Sequence, residues 1–136
     1  MIRPGRDWER APRASLEILE ALRTAAPPRL PQPFFDFLAW TDGGEGPLAV
    51  QPFWFVLYPA SEILDIWERG EFAEHFPGLF VFGSNGGGEA IAFDLASDAP
   101  RVVCFDMTNR DLRESVIELS PSMIDFLVLV GIEGEA

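Results

Sequence analysis

Residues Leu79-Phe80-Val81-Phe82-Gly83-Ser84-Asn85-Gly86-Gly87-Gly88-Glu89-Ala90-Ile91-Ala92-Phe93-Asp94-Leu95 decide the fold. Two short apolar runs, Leu79 to Phe82 and Glu89 to Leu95, flank a loop of glycine, serine and asparagine. A third run, Arg101 to Met107, follows Ala96-Ser97-Asp98-Ala99-Pro100. Loops this short, built from turn-forming residues, join antiparallel neighbours and leave no room for a helical crossover. The three runs therefore read as consecutive strands of a meander. In the middle one, Ile91 and Phe93 alternate with Ala90, Ala92 and Asp94. The small residues on that second face predict close packing there, by a helix.

Working outward, Glu114 to Leu119 reads as a further strand. Ser120 and Pro121 then open a last helix, whose apolar face is Met123, Ile124, Phe126, Leu127 and Val130 and whose stop is Gly131. Upstream, Ser61 is placed to cap a helix with Ile63, Leu64 and Trp67 on one face and Gly70 at its end. Leu48 to Tyr58 is aromatic and branched, so it reads as a strand, with Pro52 marking an edge or a break. Pro33 suits the first turn of a helix that runs to Trp40 and stops at Gly43-Gly44. Ser15 caps the first helix, which Pro27-Pro28 ends. Residues 1–12 read as a loosely held arm that Trp8 pins to the body. Helices and strands do not alternate. The fold class is thus α+β: one domain, a mainly antiparallel meandering sheet flanked by helices, with the arm at 1–12, the domain at 13–132 and a polar tail at 133–136.

Composition agrees with a folded domain. The 136 residues are 48% apolar and include 12 Phe and 4 Trp. The net charge of −12 repels phosphate backbones and anionic lipid, so nucleic-acid and membrane-surface binding are disfavoured and a basic partner is favoured. The single cysteine, Cys104, fits a reducing compartment and sits in an apolar run as a buried thiol. Met1 to Asp7 carries no apolar leader-like run, and Met123 to Ile132 is too short to span a bilayer, so the expected location is the cytoplasm.

Sites for chemistry are sparse. The loop Gly83 to Gly88 precedes a strand, not a helix, and lacks the Lys-Ser/Thr of a phosphate cradle. Glu89, Asp94 and Asp106 are the one acidic set that a metal-dependent hydrolase would use, and solvated strand-end acids are the favoured reading of them. His75 stands in a turn with no second histidine or cysteine to share a metal. No GxSxG elbow is present. No cofactor or metal site is therefore expected. The aromatics Phe53, Trp54, Phe55 and Tyr58 read either as core or as a recognition patch at a strand edge.

Two segments resemble signatures of the SUKH superfamily, which contains fungal cell-wall-assembly regulators and many bacterial immunity proteins. The first is Leu30-Pro31, Phe34, Phe37-Leu38 and Asp42-Gly43-Gly44-Glu45-Gly46. The second is Phe82 through Asp94: apolar strand, Gly-rich turn, Glu, and a strand ending in Asp. Val102-Val103 and Asp125-Phe126-Leu127 follow in the expected order, so the resemblance covers roughly residues 28–130. Asp42 departs from the family pattern, which often has Asn there. The resemblance implies an α+β domain that binds proteins without catalysis. In bacteria such domains commonly occlude a toxin domain, frequently a nuclease, and a basic nuclease would suit the −12 charge. A regulatory scaffold without a toxin partner is the alternative. Asp42, Glu45, Asn85, Glu89 and Asp94, on or beside the two Gly-rich turns, are the expected partner-binding residues.

Overall fold

The computed structural model describes residue 2, residues 4–109 and residues 111–134. In chain order the elements are β1 (Glu9–Arg10), α1 (Leu16–Ala25), α2 (Gln32–Trp40), β2 (Gly44–Pro47), β3 (Trp54–Leu57) and α3 (Ala60–Arg69). Then come β4 (Leu79–Ser84), β5 (Glu89–Asp94), β6 (Arg101–Asp106), the single turn α4 (Leu112–Ser115), β7 (Ile117–Ser120) and α5 (Met123–Leu129). The seven strands form one sheet in sequence order, each antiparallel to its neighbours. This is the α+β meander that the short loops around Leu79 to Met107 require.

Capping sets most helix boundaries. The Ser15 hydroxyl accepts from the Ile18 amide and starts α1. Pro31 precedes α2, and Pro33 sits in its first turn. Gly70 closes α3 in the left-handed region, at φ 64°. Two caps differ from expectation. Ser122, not Ser120-Pro121, opens α5 by accepting from the Asp125 amide. Ser61 lies inside α3, whose flanking residue Pro59 offers no side-chain acceptor; a residue from elsewhere fills that role.

Three further expectations change. Leu48 to Tyr58 is not one strand. Pro52 breaks it: the Gln51–Pro52 peptide is cis, Phe53 has φ 66°, and the Leu48 amide donates to the Phe53 carbonyl across a turn. The strand paired to β3 is instead β2, drawn from glycines that read as a helix stop. The arm at 1–12 is not loosely held where it is described. Glu9 and Arg10 pair with Glu45 and Gly44. The Asp7 amide donates to the Gly131 carbonyl at 2.9 Å, and the Arg6 guanidinium reaches the carbonyls of Leu127 and Val130. Trp8 packs on Phe37 and Phe55, as a pin should. A side chain on Gly46 would strike the Asp7 carbonyl, so this glycine is what lets the arm lie down. Finally, residues 112–115 curl into α4, and β7 begins at Ile117.

The core occupies both faces of the sheet. On one face, Phe80, Phe82, Ile91, Phe93, Val102 and Cys104 meet Leu22, Phe34, Phe37, Leu38, Met123 and Phe126 from α1, α2 and α5. Phe34 alone sits edge-on to Phe35, Phe80, Phe82 and Phe93. Truncating a ring so enclosed costs about 3–5 kcal/mol. On the other face, Leu79, Val81, Ala90, Ala92, Val103 and Phe105 are covered by Phe72 and Phe76. The small residues do admit a close neighbour, but it is the irregular segment after α3 and not a helix. Phe76 lies 4.4 Å from Phe105, centroid to centroid.

Candidate functional site

The five residues expected at the two Gly-rich turns do not gather at one place. Asp42 follows α2, and its Oδ1 accepts from the Ala60 amide at 2.7 Å. It is the missing cap of α3, supplied across 18 residues. Its neighbour Thr41 is fully buried; the hydroxyl accepts from the Ala11 amide and donates to the Gly43 carbonyl. The Asp42 amide donates to Pro12. The first turn is thus a tie between the arm, α2 and α3. Asn fits this position as well as Asp, since either offers an oxygen to the helix terminus.

The second turn is different. Asn85 Oδ1 accepts from the amides of Gly87 and Glu89, and the Ser84 hydroxyl accepts from Gly86. These bonds fix the base and leave Gly86, Gly87 and Gly88 exposed at the tip. Glu89 begins β5 and points to the helix-covered face, where Oε1 meets the Asn85 amide group at 3.5 Å and Oε2 meets Cys104 Sγ at 3.8 Å. Burial, with the Glu89 carboxylate second, pushes the Cys104 thiol up to about 12, so it is not a nucleophile at neutral pH. Asp94 ends the same strand and is clamped by Arg101 at 2.9 Å. Asp106 faces Glu89 in register, but its carboxylate turns to the Thr108 amide and hydroxyl, which hold its pKa down. Glu89 and Asp94 are five strand positions apart, roughly 17 Å. The acidic set a hydrolase would need does not converge, and no metal-holding group of three or more such residues exists among the described residues. His75 is turned to Glu74 at 3.8 Å.

Glu45 leads to a surface that sequence reasoning did not join together: Trp54 and Glu45 were each named there, but not placed on one face. Glu9, Glu45 and Val56 stand side by side across β1, β2 and β3, and Pro47 pairs with Trp54. Strand alternation puts Glu45, Val56 and Trp54 on one face, opposite the fully buried Phe55. The tip of the second turn arrives here: a side chain on Gly86 would lie 3.7 Å from both Trp54 and Val56. Trp54 is 39% exposed. Of the four aromatics considered as a recognition patch, it alone is exposed. The alternation was readable, but the register was hidden by the break at Pro52.

Charge sharpens this surface. All ten basic residues are arginines, and six of the described ones are engaged. Arg6, Arg10 and Arg29 donate to backbone carbonyls, and Arg23 lies over Phe35. Arg69 and Arg101 pair with acids on their own or adjacent elements. Glu9 and Glu45 form no ion pair among the described residues.

The model of the SMI1/KNR4 family (SUKH-1) matches residues 13–128. The chain belongs to the SUKH-1 family. Both signature segments fall inside the matched region, and the fold they imply is the one observed. In this SUKH-1 domain the first signature turn builds the fold, and the second delivers an exposed tip beside Trp54. No curated protein matches the chain. No helix among the described residues is long and apolar enough to cross a membrane.

Proposed function

We propose that this SUKH-1 domain is a non-catalytic immunity protein that binds and neutralises a basic toxin domain of nuclease chemistry within the cytoplasm. The observation that carries the reading is the Trp54 surface. A half-exposed indole shares its sheet face with Glu45 on the neighbouring strand and Glu9 on the next, neither in an ion pair among the described residues, while six arginines are turned to the protein's own carbonyls, rings and acids. An aromatic anchor on the same face as acids of one sign is an arrangement that gives both affinity and steering toward a partner of the other sign. Family membership supports it, since SUKH-1 includes immunity-type proteins. The absence of catalysis is supported by the elevated Cys104 thiol and the dispersed acids.

The test is association kinetics with the basic toxin domain that the chain protects against, over a salt series. Screening shortens to about 8 Å at physiological ionic strength, so the association rate falls by about tenfold or more as salt rises, with dissociation little changed. Trp54→Ala raises the dissociation rate, and Glu45→Lys slows association, both with an unchanged circular dichroism spectrum. A rate indifferent to salt and to both substitutions refutes the reading.

A further inference from the structure

A groove of about 670 Å³ runs between the C-terminal end of α3, residues 70–78 and the start of β4. We infer that it receives a bulky apolar side chain carried on a basic segment of a protein partner. This rests on the protein-binding reading and assigns that reading a second anchor point, apart from Trp54.

The walls are apolar and held in place. Ile66 and Trp67 line one side, Phe72 and Phe76 the other. The Trp67 indole donates to the Ala25 carbonyl at 3.1 Å and its ring packs on Phe80. Phe72 is locked against Phe76 and Phe105. The segment between the walls is bracketed by Gly70 and Gly78, both in the left-handed region at φ 64° and 79°. A groove already shaped in this way costs little ordering when it is filled. Its volume lies in the range of about 300–1,000 Å³ typical of binding sites.

Charge selects the occupant. Among the described residues the groove is lined by Glu68, which forms no ion pair, by Glu71, whose charge Arg69 partly offsets, and by no cation. Arg69, between them in sequence, is turned to Asp65 at 3.1 Å and Glu71 at 3.8 Å. Glu74 adds another exposed acid beside His75. An acidic segment is repelled, and a second copy of this chain, at −12, is repelled as a whole. A basic segment gains attraction at the rim while its apolar side chain is removed from water. The groove also shares a face with the Trp54 surface: Leu79 and Val81 line it, and alternation past the irregularity at Val81/Gly83 brings Ser84 to the side of Val56.

The probe is a blocked hexapeptide, Arg-Arg-Leu-Phe-Arg-Arg, titrated into the full-length, nitrogen-15-labelled chain and followed by two-dimensional NMR. Controls are the same peptide with Glu for each Arg and with Ser for Leu-Phe. The expected result is a saturable shift of the Trp67 indole N–H and of amides within 66–81 with the basic apolar peptide alone. Ala73→Trp, at an exposed position on the lining, blocks the groove and weakens binding by about tenfold or more. The surface double variant Glu68→Lys/Glu71→Lys does the same, and decides the matter if Ala73→Trp perturbs folding. Equal binding of the three peptides, shifts confined to other residues, or no saturation overturns the assignment. A toxin partner that binds wild type and Ala73→Trp equally overturns the groove alone and leaves the protein-binding reading standing.

Discussion

Replacing Asp42 separates a structural role from a binding role. Helix α3 begins after Pro59, whose side chain accepts nothing. The amides of Glu62 and Ile63 are satisfied by the Pro59 carbonyl, and the Ala60 amide is left to Asp42. Asp42→Ala removes a 2.7 Å charge-assisted bond at the positive end of a ten-residue helix. Losing an N-cap costs about 0.5–2 kcal/mol, and a hydrogen bond to a charged group about 1.5–3, so about 1.5 kcal/mol is expected. Unfolding entropy is about 2.1 cal/mol/K per residue, which for 136 residues gives roughly 0.29 kcal/mol/K and a Tm drop of about 5 °C. Asp42→Asn keeps an acceptor oxygen and loses only the charge, so its drop is about half as large. Thermal melts by circular dichroism at low salt measure both. The reasoning fails if Asp42→Ala melts within about 1 °C of wild type. It fails equally if that variant weakens partner binding while leaving the melt unchanged.

Two further outcomes follow from the packing. Gly83→Ala places a methyl against the Val56 carbonyl and 2.8 Å from the Phe55 ring, and costs about 1–3 kcal/mol in urea denaturation, whereas Gly88→Ala, with open space around it, is near neutral. The Cys104 thiol, raised from 9.0 to about 12, resists alkylation at pH 8 until the chain unfolds; rapid stoichiometric labelling of the native protein contradicts this. Because the folded state keeps a proton that the unfolded state has lost, this thiol's contribution to stability is complete below pH 9.0 and is lost as pH rises toward about 12. Cys104→Ala flattens that alkaline decline, as denaturation across the pH range will show.

The meander was legible because its signal is local. Strands Leu79–Ser84, Glu89–Asp94 and Arg101–Asp106 are each bounded by their own turn residues, and a short loop permits only one pairing. What escaped the sequence depends on contacts between distant segments. Gly44 looks like part of a helix stop and Gly46 like part of a Gly-rich turn, yet both lie in a strand because the arm's backbone needs the space a side chain would fill. Ser61 is a better cap in isolation than Pro59, yet Asp42 arrives from another element and moves the helix start upstream. Of the residues expected to bind a partner, Glu45 alone lies on the Trp54 surface, and the sequence marks it by its Gly-rich turn and not by its strand. Trp54 itself was obscured because alternation has no register until the break at Pro52 is placed.

A net charge says little about where a partner binds until the paired charges are removed from it. Six arginines of this chain are turned to the protein's own groups: α5 carbonyls, the Leu95 carbonyl, the Trp40 and Phe35 rings, and the Asp94 and Asp65 carboxylates. The Asp65 and Asp94 pairs cancel charge locally, whereas the guanidinium groups on carbonyls and rings keep their charge and are held in fixed positions. Asp94, an attractive candidate on sequence, is neutralised in this way by Arg101, whereas Glu9 and Glu45 are not. The second Gly-rich turn then places its exposed tip beside Trp54, where a β-carbon on Gly86 would lie 3.7 Å from the indole, in ordinary contact. Acids in no ion pair among the described residues, an accessible ring and a backbone tip free of side chains coincide on one face of the sheet. That coincidence, more than the total of −12, is the physical argument for recognition by this face.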